Sequence, residues 1–497
     1  MKNEILRIDR VTCLDQGATE LNHFCLDIDA GEIVGLIPLN DMGLTTLLRL
    51  LQQNLPIHYG YVYYRGKLVN QWKNPSGGYN RIALIENHSG LADDLTVADN
   101  VFVLRQGFKK IFIRQKVLNQ QLEPFFKEID VDLSPVACVR ELPVFQRFVA
   151  ELVKAVVAGC SLIVLREAGS IVSDAQLGYL HKILRHYANQ GISFLYISNH
   201  YEEVGQICSR AALMQNGQIV KVLQTSDTTS DELQCLGVED YTKLVYTQEE
   251  TRHFAGKKKE VMALRSLYYG SINSLNLSIN QGECVVLQDL DNNIFQQLIR
   301  LLSAEAKPMH GQIIVDDKVF DRSQIRDIAI VQQQPTQSMI FPHLSYMDNL
   351  CFTADHRLSS IWRHKRSRRN VRSEFEGLLG NEVFDRSVET LSQKEKYELV
   401  YTRILLQRPR VAVCVQPFMQ ADVSQRMQIW KLIDRLLEKK IAVVILAVNL
   451  TDSLSLADRL IQIEDGRVVS IYNRKDFDKL PSSTPWHNLW KNKSKTN

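Results

Sequence analysis

Residues 35–48 of this 497-residue chain read GLIPLNDMGLTTLL. A buried-type strand, IVGLI, runs into a loop and then into the helical pattern TTLLRLLQQ. A loop at that junction can hold phosphate with its backbone N–H groups and the positive end of the helix dipole. The chemistry needs glycines so that the backbone can close around the anion, a lysine for the β/γ charge, and a Ser/Thr hydroxyl for Mg²⁺. Set against the general phosphate-loop pattern, the two glycine positions hold Pro38 and Gly43, with Asp41 between them, the lysine position holds Leu44, and Thr45 and Thr46 supply hydroxyls. Pro38 removes an N–H and fixes φ. Asp41 adds a negative charge, and Leu44 removes the cation. A charge-assisted contact contributes about 1.5–3 kcal/mol, so losing the lysine alone weakens binding by one to two orders of magnitude. Gly43, Thr45 and Thr46 remain as candidate anion-binding residues.

The elements around this loop occur twice. GEIVGLI at 31–37 matches GECVVLQ at 282–288, and LTVADNV at 95–101 matches LSYMDNL at 344–350. LPVFQ at 142–146 matches LSQKE at 391–395, SLIVLRE at 161–167 matches RVAVCVQ at 410–416, and CSRAALMQNGQIV at 208–220 matches ADRLIQIEDGRVV at 457–469. From the second pair onward the offset is constant at 249 residues (95 to 344). A constant offset across separate features marks an internal duplication. Within each half, early alternation of polar and apolar residues predicts antiparallel strands, and apolar runs separated by helical segments predict a parallel sheet covered on both faces. The expected fold is α/β with two tandem domains, each holding a mainly parallel core sheet, an antiparallel subdomain and a helical subdomain. The expected boundaries are 1–245 and 261–480, joined by a polar linker at 246–260 and followed by a flexible tail at 481–497.

Composition narrows the class of protein. Apolar residues make up 45% and charged residues 23%, with a net charge of +3, which carries no nucleic-acid signature. Nine scattered cysteines without a CxxC pair read as reduced thiols. No apolar run reaches the length of a membrane span, and MKNEILRIDR lacks the apolar core of a secretory signal.

Motif by motif and in order, both halves resemble the tandem ATP-binding cassette (ABC) subunits of bacterial ribose- and galactose-type importers. The resemblance implies ATP and Mg²⁺ as ligands, a permease as partner, and a peripheral position on the cytoplasmic face of the cell membrane. It also exposes losses. In the second half the phosphate loop is QDLDNNIFQQL at 288–298, with no glycine and no lysine; Asp289, Asp291, Asn292 and Phe295 stand there. The Asp-Glu pair that serves Mg²⁺ and the attacking water becomes Arg166-Glu167 and Val415-Gln416, so Glu167 is the one catalytic-type carboxylate left. Arg166 is expected to pair with Glu167 or Asp41. The switch histidine maps to Asn199, with His200 one residue later, and to Val448. The glutamine that links nucleotide to the permease maps to Glu86 and Gln333. The signature loop reads LPVFQ, with Pro143 and Phe145, and LSQKE, which keeps Ser392.

Sites in this family are shared between halves. The resemblance therefore groups Gly43, Thr45, Thr46 and Glu167 with Ser392, Lys394 and Asp422 as a degenerate composite site, without a metal or catalytic set. Two other readings stand beside this one. One is an ATP-hydrolysing importer subunit with unusual motifs. The other is an ABC protein of ribosomal or repair type, which would need intact ATP sites. The expected reading is a pseudo-ATPase that binds a permease or a regulatory protein and no nucleic acid. The basic run IWRHKRSRRNVR at 361–372 reads as a solvated helix face or a contact for an anionic surface.

Overall fold

The computed structural model describes residues 3–15, 18–73, 78–86, 89–103, 114–224, 259–355, 361–380, 382–450 and 452–480. They fall into two compact units, one on each side of residues 225–258. The segment read as a linker lies almost wholly outside the described residues, although Glu260 already opens a strand. The segment read as a tail, 481–497, also lies outside them.

The first unit runs β1 (Glu4–Asp15), β2 (Ala18–Asp29), β3 (Ile33–Pro38), α1 (Leu44–Gln53), β4 (Tyr59–Tyr64), β5 (Lys67–Gln71), β6 (Ile82–Ile85), α2 (Val97–Phe102), α3 (Gln115–Glu128), α4 (Val144–Val157), β7 (Leu162–Arg166), α5 (Ala168–Ile171), α6 (Asp174–Asn189), β8 (Ser193–Ile197), α7 (Tyr201–Ile207), β9 (Arg210–Gln215) and β10 (Gln218–Gln224). The second repeats the plan. Its strands are β11 (Glu260–Tyr269), β12 (Ile272–Asn280), β13 (Cys284–Asp289), β14 (His310–Val315), β15 (Lys318–Val319), β16 (Ile328–Val331), β17 (Val411–Val415), β18 (Ala442–Ala447), β19 (Arg459–Glu464) and β20 (Arg467–Asn473). Its helices are α8 (Phe295–Leu302), α9 (Pro335–Ser338), α10 (Tyr346–Asp355), α11 (Ile361–Leu379), α12 (Gln393–Gln407), α13 (Val423–Glu438) and α14 (Ser453–Leu456).

Each unit has a six-stranded sheet, in order β10-β9-β3-β8-β7-β6 and β16-β17-β18-β13-β19-β20, and a four-stranded antiparallel sheet, in order β2-β1-β4-β5 and β12-β11-β14-β15. The six-stranded sheets are parallel except at the β9–β10 and β19–β20 hairpins. This is the expected fold class. In the first unit α1 fills the angle between the two sheets: Leu44, Leu47, Leu48, Leu50 and Leu51 share one core with Leu6, Ile8 and Phe24 of the small sheet and Val34, Leu36 and Ile197 of the large one. Each fully buried leucine contributes about 1.5–3 kcal/mol relative to exposure. No helix among the described residues is long and apolar enough to cross a membrane.

The NGQIV and DGRVV motifs now have a physical reason. Asn216 and Gly217 have φ of 50° and 72°, and Asp465 and Gly466 have φ of 49° and 70°. Both are the primed hairpin turns that suit strand twist. Each turn also docks on the small sheet: Gly217 O accepts from the Asn22 N–H, and Gly466 O from the Asn273 N–H, both at 2.9 Å. A Cβ at Gly217 would lie 1.9 Å from Glu20 O, and one at Gly466 would lie 1.8 Å from Ser271 O. Gly466→Ala is therefore expected to lower the stability of the second unit by at least about 2 kcal/mol in urea unfolding. Gly66→Ala, where a Cβ meets nothing within 4 Å, isolates the cost of positive φ alone.

Candidate functional site

In the first unit the phosphate-type loop joins β3 to α1. Leu39 N–H bonds Met214 O at 2.8 Å, and Asn40 and Asn216 exchange hydrogen bonds at 2.7 and 3.1 Å, so the loop is fastened to the β9–β10 hairpin. Gly43 has φ of 80° and stands at the start of α1. Its N–H donates to the Glu20 carboxylate at 3.1 Å. Leu44, at the lysine position, is 3% exposed and belongs to the leucine core. Thr46 is buried and Thr45 is exposed.

The second unit goes further. Asp289 stands where the first unit has Pro38, and it is fully buried. Its Oδ1 accepts from the Asp291 N–H at 3.2 Å, and its Oδ2 accepts from the N–H groups of Asn293 at 2.7 Å and Ile294 at 2.8 Å. Three backbone donors of the loop thus close on a carboxylate of the chain itself. Burial raises the Asp289 pKa, opposed by these three bonds, which favour the charged form. Phe295, at the lysine position, is buried, and Gln297, two residues on, bonds back to Ser271, accepting from its N–H at 2.7 Å.

The strand ends beside these loops are also self-paired. Arg166 pairs with Glu86 at 3.0 Å, not with Glu167 or Asp41. The reason is register: β6 and β7 run parallel with Ile85 opposite Leu165, so Glu86 and Arg166 leave their strands side by side. Glu167 turns away in a left-handed conformation, φ 54°, and is 4% exposed. Its Oε1 accepts from the Asn199 N–H at 2.9 Å. In the second unit the corresponding Gln416 accepts from Gln333 Nε2. Among the described residues no group of three or more His, Cys, Asp or Glu side chains is placed to hold a metal ion.

At the signature positions, Pro143 precedes α4, and Phe145 stacks on Tyr179 with centroids 5.7 Å apart. Ser392 caps α12. Its N–H donates to Glu395 Oε2 at 2.7 Å, its hydroxyl donates to the same oxygen at 2.8 Å, and Glu395 N–H returns to Ser392 Oγ at 3.3 Å. This is a closed capping box. Arg386 pairs with Glu395 at 2.5 Å. Asp422 caps α13, accepting from the Gln425 N–H at 2.8 Å.

Sequence reasoning missed one feature beneath the first site. Glu203 is 2% exposed and accepts from the Gly169 N–H at 2.9 Å, from the Ser198 hydroxyl at 2.8 Å and from the Tyr196 hydroxyl. His181 lies 3.4 Å from the Tyr196 oxygen. Burial raises the Glu203 pKa, and burial, with Arg185 assisting, lowers that of His181 to about 4. The sequence signal was faint, the second Glu of an adjacent pair, four residues after Asn199. The LTVADNV and LSYMDNL copies fold alike: Asn100 brackets Ala92, and Asn349 brackets Phe341, each through a donated and an accepted backbone bond of 2.7–3.0 Å. In the basic run, Arg368 pairs with Asp348 and Arg372 with Asp385, both at 2.7 Å, while Arg366 and Arg369 are exposed. The side chains of 361–365 lie outside the described residues.

No family profile matches the sequence. The chain is 23% identical over 484 residues to a galactose/methyl galactoside import ATP-binding protein of Clostridium perfringens, covering 93% of this chain and 91% of that one. It is 22% identical over 481 residues to a ribose import ATP-binding protein of Halalkalibacterium halodurans, covering 95% of each. In fold it is similar to the RNase-L inhibitor, with a TM-score of 0.59 at 15% identity over 96% of this chain and 93% of that chain. An archaeal ribosome recycling factor, seen in complex with a ribosomal stalk protein, gives 0.57 at 14% identity over 95% of this chain and 91% of that chain. The chain folds as two tandem domains of the ATP-binding-cassette type and is similar along nearly its whole length to ATP-binding proteins of sugar import.

Proposed function

We propose that this chain is a pseudo-ATPase: a tandem ABC scaffold that binds a permease or regulatory partner of a sugar-importer-like system without efficient ATP hydrolysis. The observation that carries the reading is the Asp289 carboxylate seated on three N–H groups of its own phosphate-type loop. A bound phosphate would have to displace it, and the displaced charge would repel a triphosphate at close range. In the first unit the competition is weaker but of the same kind, with Glu20 on the Gly43 N–H. ATP with Mg²⁺ does not fit the residues present. Leu44 and Phe295 offer no cation, Arg166 stands where a metal carboxylate is needed, and Ser392 is engaged in its capping box. Transition-state charge would meet no fixed positive partner.

The partner half of the reading rests on the two bracketed turns. Around them Leu95 and Val103 in the first unit, and Phe341, Leu344 and Phe352 in the second, are exposed apolar residues. The Phe341 and Phe352 rings lie 4.5 Å apart. Solvent-facing aromatic pairs of this kind suit a helix from a partner. A sugar-importer-like role places the chain on the cytoplasmic face of the membrane through its permease. The second reading, an active ATP-hydrolysing importer subunit, draws on Gly43 and the exposed Thr45, which remain at the start of α1.

Two measurements test the proposal. Calorimetric titration of the whole chain with ATP is expected to give no binding up to about 1 mM, with or without Mg²⁺. Binding below about 100 μM that strengthens with Mg²⁺ would favour the active subunit instead. Asp289→Ala strands three loop N–H groups, that of Ile294 buried, and is expected to destabilise the second unit by about 1–3 kcal/mol in urea unfolding, with Asp289→Asn costing less because its amide oxygen still accepts. A neutral Asp289→Ala would remove the structural role assigned to this carboxylate.

A further inference from the structure

At the opposite end of the second unit's large sheet from Asp289 lies a cavity of about 640 Å³. It opens where β17 and β18 begin, between the ends of α12 and α13 and the later turns of α11. Its apolar lining includes Val261, Phe375, Leu405 and Ile441, and five cations reach it: Arg408, Arg410, Arg435, Lys439 and Lys440. Glu374 and Glu438 line it as well. The three arginines already have carboxylate neighbours, Glu374 at 3.8 Å, Asp316 at 3.0 Å and Glu398 at 2.8 Å respectively. Lys439 and Lys440 make no ion pair among the described residues.

The duplication supplies an internal control. At the offset of 249, the first unit has Gly159, Ser161, His186, Gln190 and Gly191 in place of these five cations, and it builds the same helices and strands. The fold therefore needs none of the four charges at 408, 410, 439 and 440; at the fifth position the first unit keeps a basic residue, His186, 3.1 Å from Glu128. Two of the positions also carry a conformational cost. Arg408 has φ of 52° where the first unit has Gly159 at 77°, and Lys440 has φ of 60° where it has Gly191 at 94°. A residue with a Cβ is disfavoured in that region and glycine is not. A cation stands at both strained turns on the rim of the same cavity. Strain tolerated in this way gathers at ligand sites.

We propose that this cavity binds a small phosphate ester. Its volume lies in the range of small-molecule sites, its floor accepts the organic body, and lysine and arginine donors at the rim match the phosphate oxygens. Glu438 on the lining offers an acceptor for a hydroxyl of the organic body. The site lies at the other end of the large sheet from the second unit's phosphate-type loop and does not depend on whether that loop binds nucleotide.

The test is calorimetric titration of the full chain, without Mg²⁺, with pyrophosphate, glucose 6-phosphate and fructose 1,6-bisphosphate. At least one is expected to bind with Kd at or below about 1 mM, more tightly at low salt. The variant Arg408→Gly/Lys439→Gln/Lys440→Gly, which gives these positions the first unit's residues, is expected to weaken that binding at least about tenfold while unfolding at the same or a higher temperature. If it folds poorly, Lys439→Gln with Lys440→Asn replaces it, since asparagine tolerates the left-handed turn. No heat from any of the three probes at about 10 mM, or an unchanged Kd in the folded variant, overturns the proposal.

Discussion

The Asp289 carboxylate on its three loop amides is the interaction on which the second unit's chemistry depends. A loop of this kind concentrates backbone donors on a point, and those donors must be satisfied when buried. In a nucleotide-binding protein the anion comes from outside. Here it comes from the strand that precedes the loop, and it is covalently tethered. An intramolecular ligand acts at an effective concentration that a free one rarely reaches. The loop geometry is thereby held by a carboxylate of the chain itself. Phe295 in its place adds to the core instead.

The same logic runs through other places where this fold presents N–H groups. Glu20 takes the amide of Gly43, Glu167 takes that of Asn199, Glu203 takes that of Gly169, and Glu395 takes that of Ser392. Each is a local solution, using whichever carboxylate lies near. In each case a backbone donor is met by a carboxylate of the chain itself. At the end of β7, Arg166 and Glu86 form an ion pair.

The two units share a plan and differ in what they do with it. Gly217 and Gly466 are fixed alike by backbone oxygens under 2 Å from any Cβ, so neither unit can vary there. Asn100 and Asn349 likewise hold equivalent turns. Away from such steric constraints the units diverge freely, and the cations around Arg408 and Lys440 belong to one of them only. Divergence between copies of one scaffold separates what folding requires from what it merely permits.

The sequence by itself determined the duplication, the order of strands and helices, the fold class, and the residue types in the two loops, with Leu44 and Phe295 at equivalent positions. These are readable because period, spacing and residue type are local properties. It also marked Gly43, Thr45, Thr46, Glu167 and Ser392 as remnants. What it could not determine was where the displaced side chains went. Asp289 was legible only as an acid at the start of the loop, and the curvature of the chain turns it inward onto its own amides. Arg166 looked like a partner for its neighbour Glu167, but parallel register sets it beside Glu86, 80 residues away. Glu203 joined Tyr196 and Ser198 only because a helix start folds back over the end of β8. In each case the partner was chosen by strand register or loop closure, which are tertiary facts. A charge in a sequence has a sign, but its partner is set by the fold.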